Sequence, residues 1–438
     1  MSAIARLGPF VSKGCATDDA TLRQRVVHAF VDTIGCMSVG VRAETVQGLC
    51  RAFEPIAPGT APVFGTPVKL SPAMAALVNG ASAHAWDLDD WEDMGNTHPS
   101  AALVPAILAA ANLRRCSGER ALSAYATGFE VIARLGTMAT SGHYQAGFHV
   151  TGTLGALGAA AAVAHLMRLD AEQSGHAVAL AASQAMGLTA QFGSDAKALQ
   201  AGLAAKAGLL SAQMAAAGLR GKETVLDAPR GFFAALCPGW ESDASHLDRL
   251  GDPPALLEGG IYVKRHPSCA YTHRLISCAE TIARTPEFAA EAITEVTAIL
   301  PDFHHAILPY AEPQTRTEAL FSLEFCISQT LLGRGVSLGA LERAAWRDAD
   351  GRALRQRMTV RPEPARNPHM PIDPEQPDRL LVTCGDATFA AECAWPEGAP
   401  ARSLGADGIA AKFPDLPVDA LSGWTDAADV AEYVARVC

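Results

Sequence analysis

From Thr151 to Leu169 the chain reads TGTLGALGAAAAVAHLMRL. Side chains this small bury apolar surface only where neighbouring backbones approach closely, so the run predicts a helix wrapped on all sides by other helices. His165 and Arg168 interrupt it, and Gly and Ala dominate it, which argues against a membrane span. Gly152, Gly155 and Gly158 recur every third residue as GxxGxxG with no strand before them. That spacing is not a dinucleotide-binding fingerprint, and the three glycines are read as one smooth contact face. Composition agrees: 49% of residues are hydrophobic and only 6% aromatic, which favours closely packed helices with small residues at their contacts. With 18% charged residues, disorder is not expected.

The net charge of −11 argues against nucleic acid as the main partner. It leaves room for a small anionic substrate, because a cationic pocket can sit inside an acidic protein. The opening MSAIARLGPF has no apolar core flanked by basic residues, so no signal peptide and no membrane attachment are expected. The eleven cysteines are odd in number and show no CxxC spacing. This fits reduced thiols in a cytoplasm better than a disulfide frame or a zinc ribbon.

Along the first 260 residues, helix follows helix. Leu22, Val26, Phe30 and Ile34 recur at helical spacing, and Ser71-Pro72 reads as a helix start running towards Asp87. Further helices are expected near 100–114, 118–135, 151–168, 171–187 and 197–218. After Gly259 the texture changes. ITEVTAILP (293–301) reads as a strand and RLLVTCGDATFAAECAW (379–395) as a hairpin through Gly385-Asp386. Helical pattern recurs at 271–284, 316–333 and 340–347, the proline-rich stretch 362–378 reads as a loop, and helix returns from about 404. The expected fold is mainly α: a large all-helical domain, residues 1–260 completed by 396–438, plus a smaller α+β domain, residues 261–395.

The chemistry concentrates in HAWDLDDWEDMGNTHPS, residues 84–100. Asp87, Asp89, Asp90, Glu92 and Asp93 fall within seven residues, and His98 follows. The cluster lies at the expected C-terminal end of a helix, the wrong pole of the dipole for acids, which weighs against a purely structural origin. Three readings stand: a solvated loop, a Mg²⁺ site built on DLDD, and an acid/base site in which a crowded carboxylate orients or charges a histidine. No second carboxylate cluster supports the metal. His149 opens the glycine-rich helix, where free N–H groups favour anions, although a capping histidine is as common there. Lys197, in SDAKALQAG, is either a solvated lysine or a cation for a carboxylate. Lys264, Arg265, Cys269 and His273 in YVKRHPSCAYTH form either a basic turn or a cationic wall. A Cys269–His266 or Cys269–His273 nucleophilic pair is the weaker alternative.

Taken together, these stretches resemble the MmgE/PrpD family. NGASAHAWDLDD…THPS (79–100), GFHVTG (147–152), AKALQAG (196–202), KRHPSCAYTH (264–273) and EALFSLEFCISQTLLGRG (318–335) match its motifs in order. The resemblance implies a large helical domain, an α+β lid and a homodimer. It also implies proton transfer beside a carboxylate on a small polycarboxylate, with no metal and no organic cofactor. By position it implies catalytic roles for Asp87, His98, His149, Lys197 and Lys264. Substrate contacts are assigned to Cys269, Arg265, His273, Asp90 and Trp91. The loop between DLDD and HPS is one residue longer than in the family's decarboxylases. Cys269 stands where those enzymes carry a histidine that works on the substrate, which turns the expectation away from decarboxylation.

The function expected is therefore a cofactor-independent lyase, a hydro-lyase similar to 2-methylcitrate dehydratase. The alternatives are an epimerase similar to iminodisuccinate epimerase, a decarboxylase of cis-aconitate type and a polycarboxylate binder without catalysis. In the lead scheme His98, oriented by Asp87, is one acid/base. His149 is the other or a carboxylate binder, and the lysines neutralise the substrate.

Overall fold

The computed structural model describes residues 1–241 and 243–437. Ser242 and Cys438 lie outside the described residues, as do the side chains of Thr140 and Ala244. The first half of the chain forms α1 (Ala3–Lys13), α2 (Ala20–Gly40), α3 (Glu44–Phe53), α4 (Pro72–His84), α5 (Pro99–Leu113), α6 (Gly118–Gln145), α7 (Val150–Leu166), α8 (Ala171–Ala181) and α9 (Asp195–Ala216). A two-stranded hairpin, β1 (Pro58–Pro62) and β2 (Lys69–Leu70), interrupts them. Side-chain oxygens satisfy several helix starts: Asp19 accepts from the Leu22 amide, Ser117 from that of Arg120, and Asp170 forms a reciprocal capping box with Gln173. Ser71 precedes α4 but its hydroxyl makes no cap; there the fixed φ of Pro72 sets the start.

Every residue of α7 is buried. Its three glycines do not form one contact face. A Cβ on Gly152 would lie 2.6 Å from the Met186 carbonyl oxygen, one on Gly155 3.1 Å from Ala102 of α5, and one on Gly158 2.8 Å from the Gly128 carbonyl oxygen of α6. Each glycine admits a different neighbour. The same device joins α4 to α9, where a Cβ on Gly80 would stand 2.8 Å from the Cα of Gly202. These close approaches bring α4, α5, α6 and α9 around α7 and its immediate neighbours.

The second part contains a four-stranded mixed sheet in the order β4-β3-β5-β6, with β3 (Ile293–Pro301), β4 (Met358–Glu363), β5 (Asp378–Cys384) and β6 (Ala387–Cys393). Strand β3 runs parallel to β4 and antiparallel to β5, so Val296 faces Met358 on one side and Val382 on the other. Gly385 adopts φ 58° in the β5–β6 turn, as the sequence pattern requires. Helix α10 (His273–Ala283) packs on β5 and β6 and against α11 (Leu323–Leu331). The fold is thus mainly α with a smaller α+β part.

Several boundaries differ from expectation. Helix α6 continues past the expected end at 135 to Gln145, and Ser141 in its last turns meets His369. The 316–333 segment breaks into Arg316–Ala319 and α11, where Ser322 turns out of the helix and caps the next one. Strand β4 escapes the pattern, since this edge strand is largely exposed and carries Pro362. The chain then returns to the helical part. Helices α12 (Gly405–Lys412) and α13 (Val418–Ser422) pack on α2, and α14 (Val430–Val437) packs on α5. The segment expected to complete that part, 396–438, ends on Cys438, outside the described residues. Among the described residues no single helix is long and apolar enough to cross a membrane.

Candidate active site

Helix α4 ends at His84, and the acid loop turns back sharply: Asp87 adopts φ 50°, a left-handed conformation that aspartate tolerates better than most residues. This turn aims both the carbonyl and the carboxylate of Asp87 at Lys264. The Lys264 ammonium donates to the carbonyl over 3.1 Å and to Oδ1 in a shorter contact, while Lys197 approaches the same Oδ1 at 2.9 Å. Burial alone would raise the Asp87 carboxyl, but Lys197 and Lys264 outweigh it and hold it well below the usual carboxylate range. The two ammonium groups are not equivalent. Burial lowers Lys197, whereas at Lys264 the same penalty is overcome by Asp87 and Asp89, so its pKa is raised. The Lys197 ammonium also lies over the rings of Phe192 and Phe321, 5.4 and 5.0 Å from their centroids.

Three imidazoles surround this pair. His84 Nδ1 lies 2.8 and 2.9 Å from the Asp89 carboxylate oxygens, and its ring is tilted against that of His98 at 4.5 Å and stacked on that of His149 at 5.7 Å. His98 occupies the N-cap of α5, its backbone amide bonded to Thr151 Oγ1 at 3.0 Å and its Nδ1 2.8 Å from the Asp90 carbonyl oxygen. His149 occupies the N-cap of α7, with Nδ1 2.6 Å from Gln200 Oε1. The Gln200 amide nitrogen donates to the Leu188 carbonyl, which fixes the oxygen towards His149. Every Nδ1 partner is an acceptor, so each Nδ1 carries the hydrogen and each Nε2 presents a lone pair. The Nε2 atoms of His84 and His149, and Asp87 Oδ2, are buried without a hydrogen-bond partner. Burial first, and then the lysine charges, hold His98 and His149 well below the usual imidazole range, and both rings are neutral. The two buried ammonium groups can meet an anion, while the unpaired imidazole nitrogens can accept a hydrogen bond or a proton from it.

His98, Asp87, His149, Lys197 and Lys264, far apart in sequence, meet in one place. The scheme in which Asp87 orients His98 is corrected: the Asp90 carbonyl holds Nδ1, and Asp87 lies 4.0 Å from Nε2. Cys269 is buried beside this group, and burial pushes its thiol up to about 11. Neither His266, bonded to the Val336 carbonyl, nor His273, bonded to Ser268, engages that thiol, so no nucleophilic pair forms. Arg265 is tied to Glu280 and Glu397 and is no free cation. Asp90 turns away to Ser100, which also meets Tyr125 at 2.6 Å, and so fastens the acid loop to the start of α5. Trp91 exchanges backbone hydrogen bonds with Tyr262 (2.9 and 2.7 Å) and packs on its ring, which delivers Lys264, two residues on, to Asp87. Asp90 and Trp91 therefore shape the site from behind. His84 and Gln200 were not singled out from the sequence, and Asp89 was named only as one of the acid cluster. The spacing of His84 and Asp89 across a helix end was the only available signal, and Gln200 carried none.

Asp87, Asp89, His84 and His98 place one donor atom each within 4.8 Å of one another. Two imidazoles in that set suit a borderline transition metal rather than Mg²⁺. A dication there would face Lys197 and Lys264 at contact distance, which disfavours it.

Models of the MmgE/PrpD N-terminal domain and C-terminal domain match residues 5–244 and 266–431. Among curated proteins, the chain is 28% identical over 330 residues to cis-aconitate decarboxylase of Homo sapiens, covering 72% of this chain and 67% of that enzyme. The mouse enzyme of the same name is 27% identical over 329 residues, 72% of this chain and 66% of the enzyme. That of Aspergillus terreus is 33% identical over 233 residues, 50% of this chain and 47% of the enzyme. The chain thus spans about two thirds of the length of the mammalian relatives and about half of the fungal one.

Proposed function

The chain belongs to the MmgE/PrpD family, and from that premise we propose that it is a lyase acting on a small di- or tricarboxylate. The reaction is proton abstraction beside a carboxylate, without a metal or organic cofactor. Its closest form is loss of water from a hydroxy acid similar to 2-methylcitrate. The observation that carries this reading is geometric: His98, its Nδ1 held by the Asp90 carbonyl, turns Nε2 to within 4.0 Å of Asp87, which both Lys197 and Lys264 contact.

Lys197 and Lys264 meet the substrate carboxylates, which are costly to desolvate without cations. His98 Nε2 takes the proton next to a carboxylate, and the ammonium groups stabilise the enolate charge that develops. The leaving hydroxyl needs a proton, and Lys197, whose pKa is lowered, is the better donor of the two lysines. His149, neutral at rest, accepts a hydrogen bond from the substrate, in place of the expected role as the other acid/base or a carboxylate binder. Decarboxylation is the second reading, favoured by the names of the relatives. Epimerisation would require His98 and His149 on opposite faces of the reacting carbon. A cytoplasmic, homodimeric enzyme completes the proposal; the cysteines among the described residues are all free thiols.

Incubation of the purified protein with 2-methylcitrate, citrate and cis-aconitate in D₂O tests the reading. An alkene product marks dehydration, CO₂ release marks decarboxylation, and solvent deuterium with inversion marks epimerisation. Binding without exchange would leave only a carboxylate-binding protein.

A further inference from the structure

Beside the imidazole–lysine cluster lies a chamber of about 490 Å³, between the C-terminal end of α6, the acid loop and the proline-rich loop after β4. Two of its lining residues adjoin the site along the chain. Val150 directly follows His149, and Tyr271 stands two residues past Cys269, its hydroxyl donating to Asn96 at 3.3 Å. The Tyr144 hydroxyl has no hydrogen-bond partner among the described residues, and burial first, then Tyr271, Cys269 and Asp87, push its pKa up. Away from the cluster the wall turns apolar, with Met94, Phe303, Met370 and Pro371. The proline-rich loop is pinned across the chamber at two points. His369 Nδ1 meets Ser141 Oγ at 2.8 Å, and His304 Nε2 donates to the Pro371 carbonyl at 2.7 Å.

We propose that this chamber is a substrate subsite for an apolar substituent, so that the natural substrate is a di- or tricarboxylate carrying an alkyl or aryl group larger than methyl. The inference rests on the carboxylate reading above and names the class of acid within it. A passage that served only to admit a bare polycarboxylate into a protein of net charge −11 would gain from cationic walls. This one carries no lysine or arginine and does carry Asp93. Its size is that of a small-molecule pocket, typically about 300–1,000 Å³, and its apolar surface rewards a hydrocarbon group.

Calorimetric titration of succinate, butylsuccinate and hexylsuccinate into the full-length protein tests this. Affinity is expected to rise roughly fourfold for each methylene buried. Thr137→Phe fills the chamber from α6 and lies outside the catalytic group. It should abolish the gain for hexylsuccinate while leaving succinate binding unchanged. Equal affinities across the series in the wild-type protein overturn the subsite, whether or not the variant folds, and leave the carboxylate reading intact. A chain-length gain that survives Thr137→Phe in a folded variant overturns the assignment to this chamber. Failure of succinate itself to bind overturns the carboxylate reading, and the subsite with it.

Discussion

His84, His98 and His149 share one arrangement: Nδ1 is committed to a carboxylate, a backbone carbonyl and a side-chain amide oxygen respectively, and Nε2 is left bare. The lone pairs are available because burial and the neighbouring ammonium groups keep the rings neutral. Replacing His98 by Gln removes the base and keeps a polar side chain of similar reach. Turnover should fall by about 10²–10⁴-fold, with circular dichroism and Tm close to wild type; an active His98→Gln enzyme would remove His98 from its role. The pH dependence follows from the sign of the shift. The folded pKa of His98 lies below its ordinary value of 6.5, so the base is present at neutral pH, and kcat/KM should fall only on the acid side of 6.5. Below 6.5 the unfolded chain binds protons that the folded His98 and His149 refuse, so stability also declines as pH falls. A pH–rate profile with its acid limb above 6.5 contradicts the assignment.

Among the elements, three helix starts converge on the site. His98 caps α5, His149 caps α7 and Lys197 lies in the first turn of α9, so free backbone N–H groups and the positive dipole ends favour an anion there. Their convergence depends on how closely α7 meets its neighbours. A Gly158→Leu side chain would collide with Ile132 and the Gly128 carbonyl of α6. Overpacking of this kind typically costs about 1–3 kcal/mol, seen as a lower Tm, and should also reduce activity by displacing His149. An unchanged Tm would mean that the two helices can separate freely. These elements were largely legible in the chain, since small-residue runs and Ser-Pro or Asp starts announce helices by local physics. The left-handed turn at Asp87 was not, because nothing in DLDD distinguishes one aspartate's backbone from the next.

At the scale of the whole molecule, the C-terminal helices close the helical part from behind the site. Buried Lys412 pairs with buried Asp32 and donates to the Leu88 carbonyl, in the acid loop itself, over 3.1 Å. Lys412→Met would leave Asp32 buried without its cation, which typically costs about 3–5 kcal/mol. Adding Asp32→Asn should recover most of the loss in thermal denaturation; no recovery would show that the pair is not the unit that matters. The linear order of residues determined the helical character of the first part, strands β3, β5 and β6 of the second and the residue types available for chemistry, because these depend on spacing within a few turns. Which acid faces the lysines was decided only by tertiary structure. Asp87 meets both, Asp90 is spent on Ser100, and Arg265 is spent on two glutamates. Ion pairing between groups 177 positions apart, as in Asp87 and Lys264, or 380 apart, as in Asp32 and Lys412, depends on where separate helices bring their ends, and local sequence carries no record of that distance.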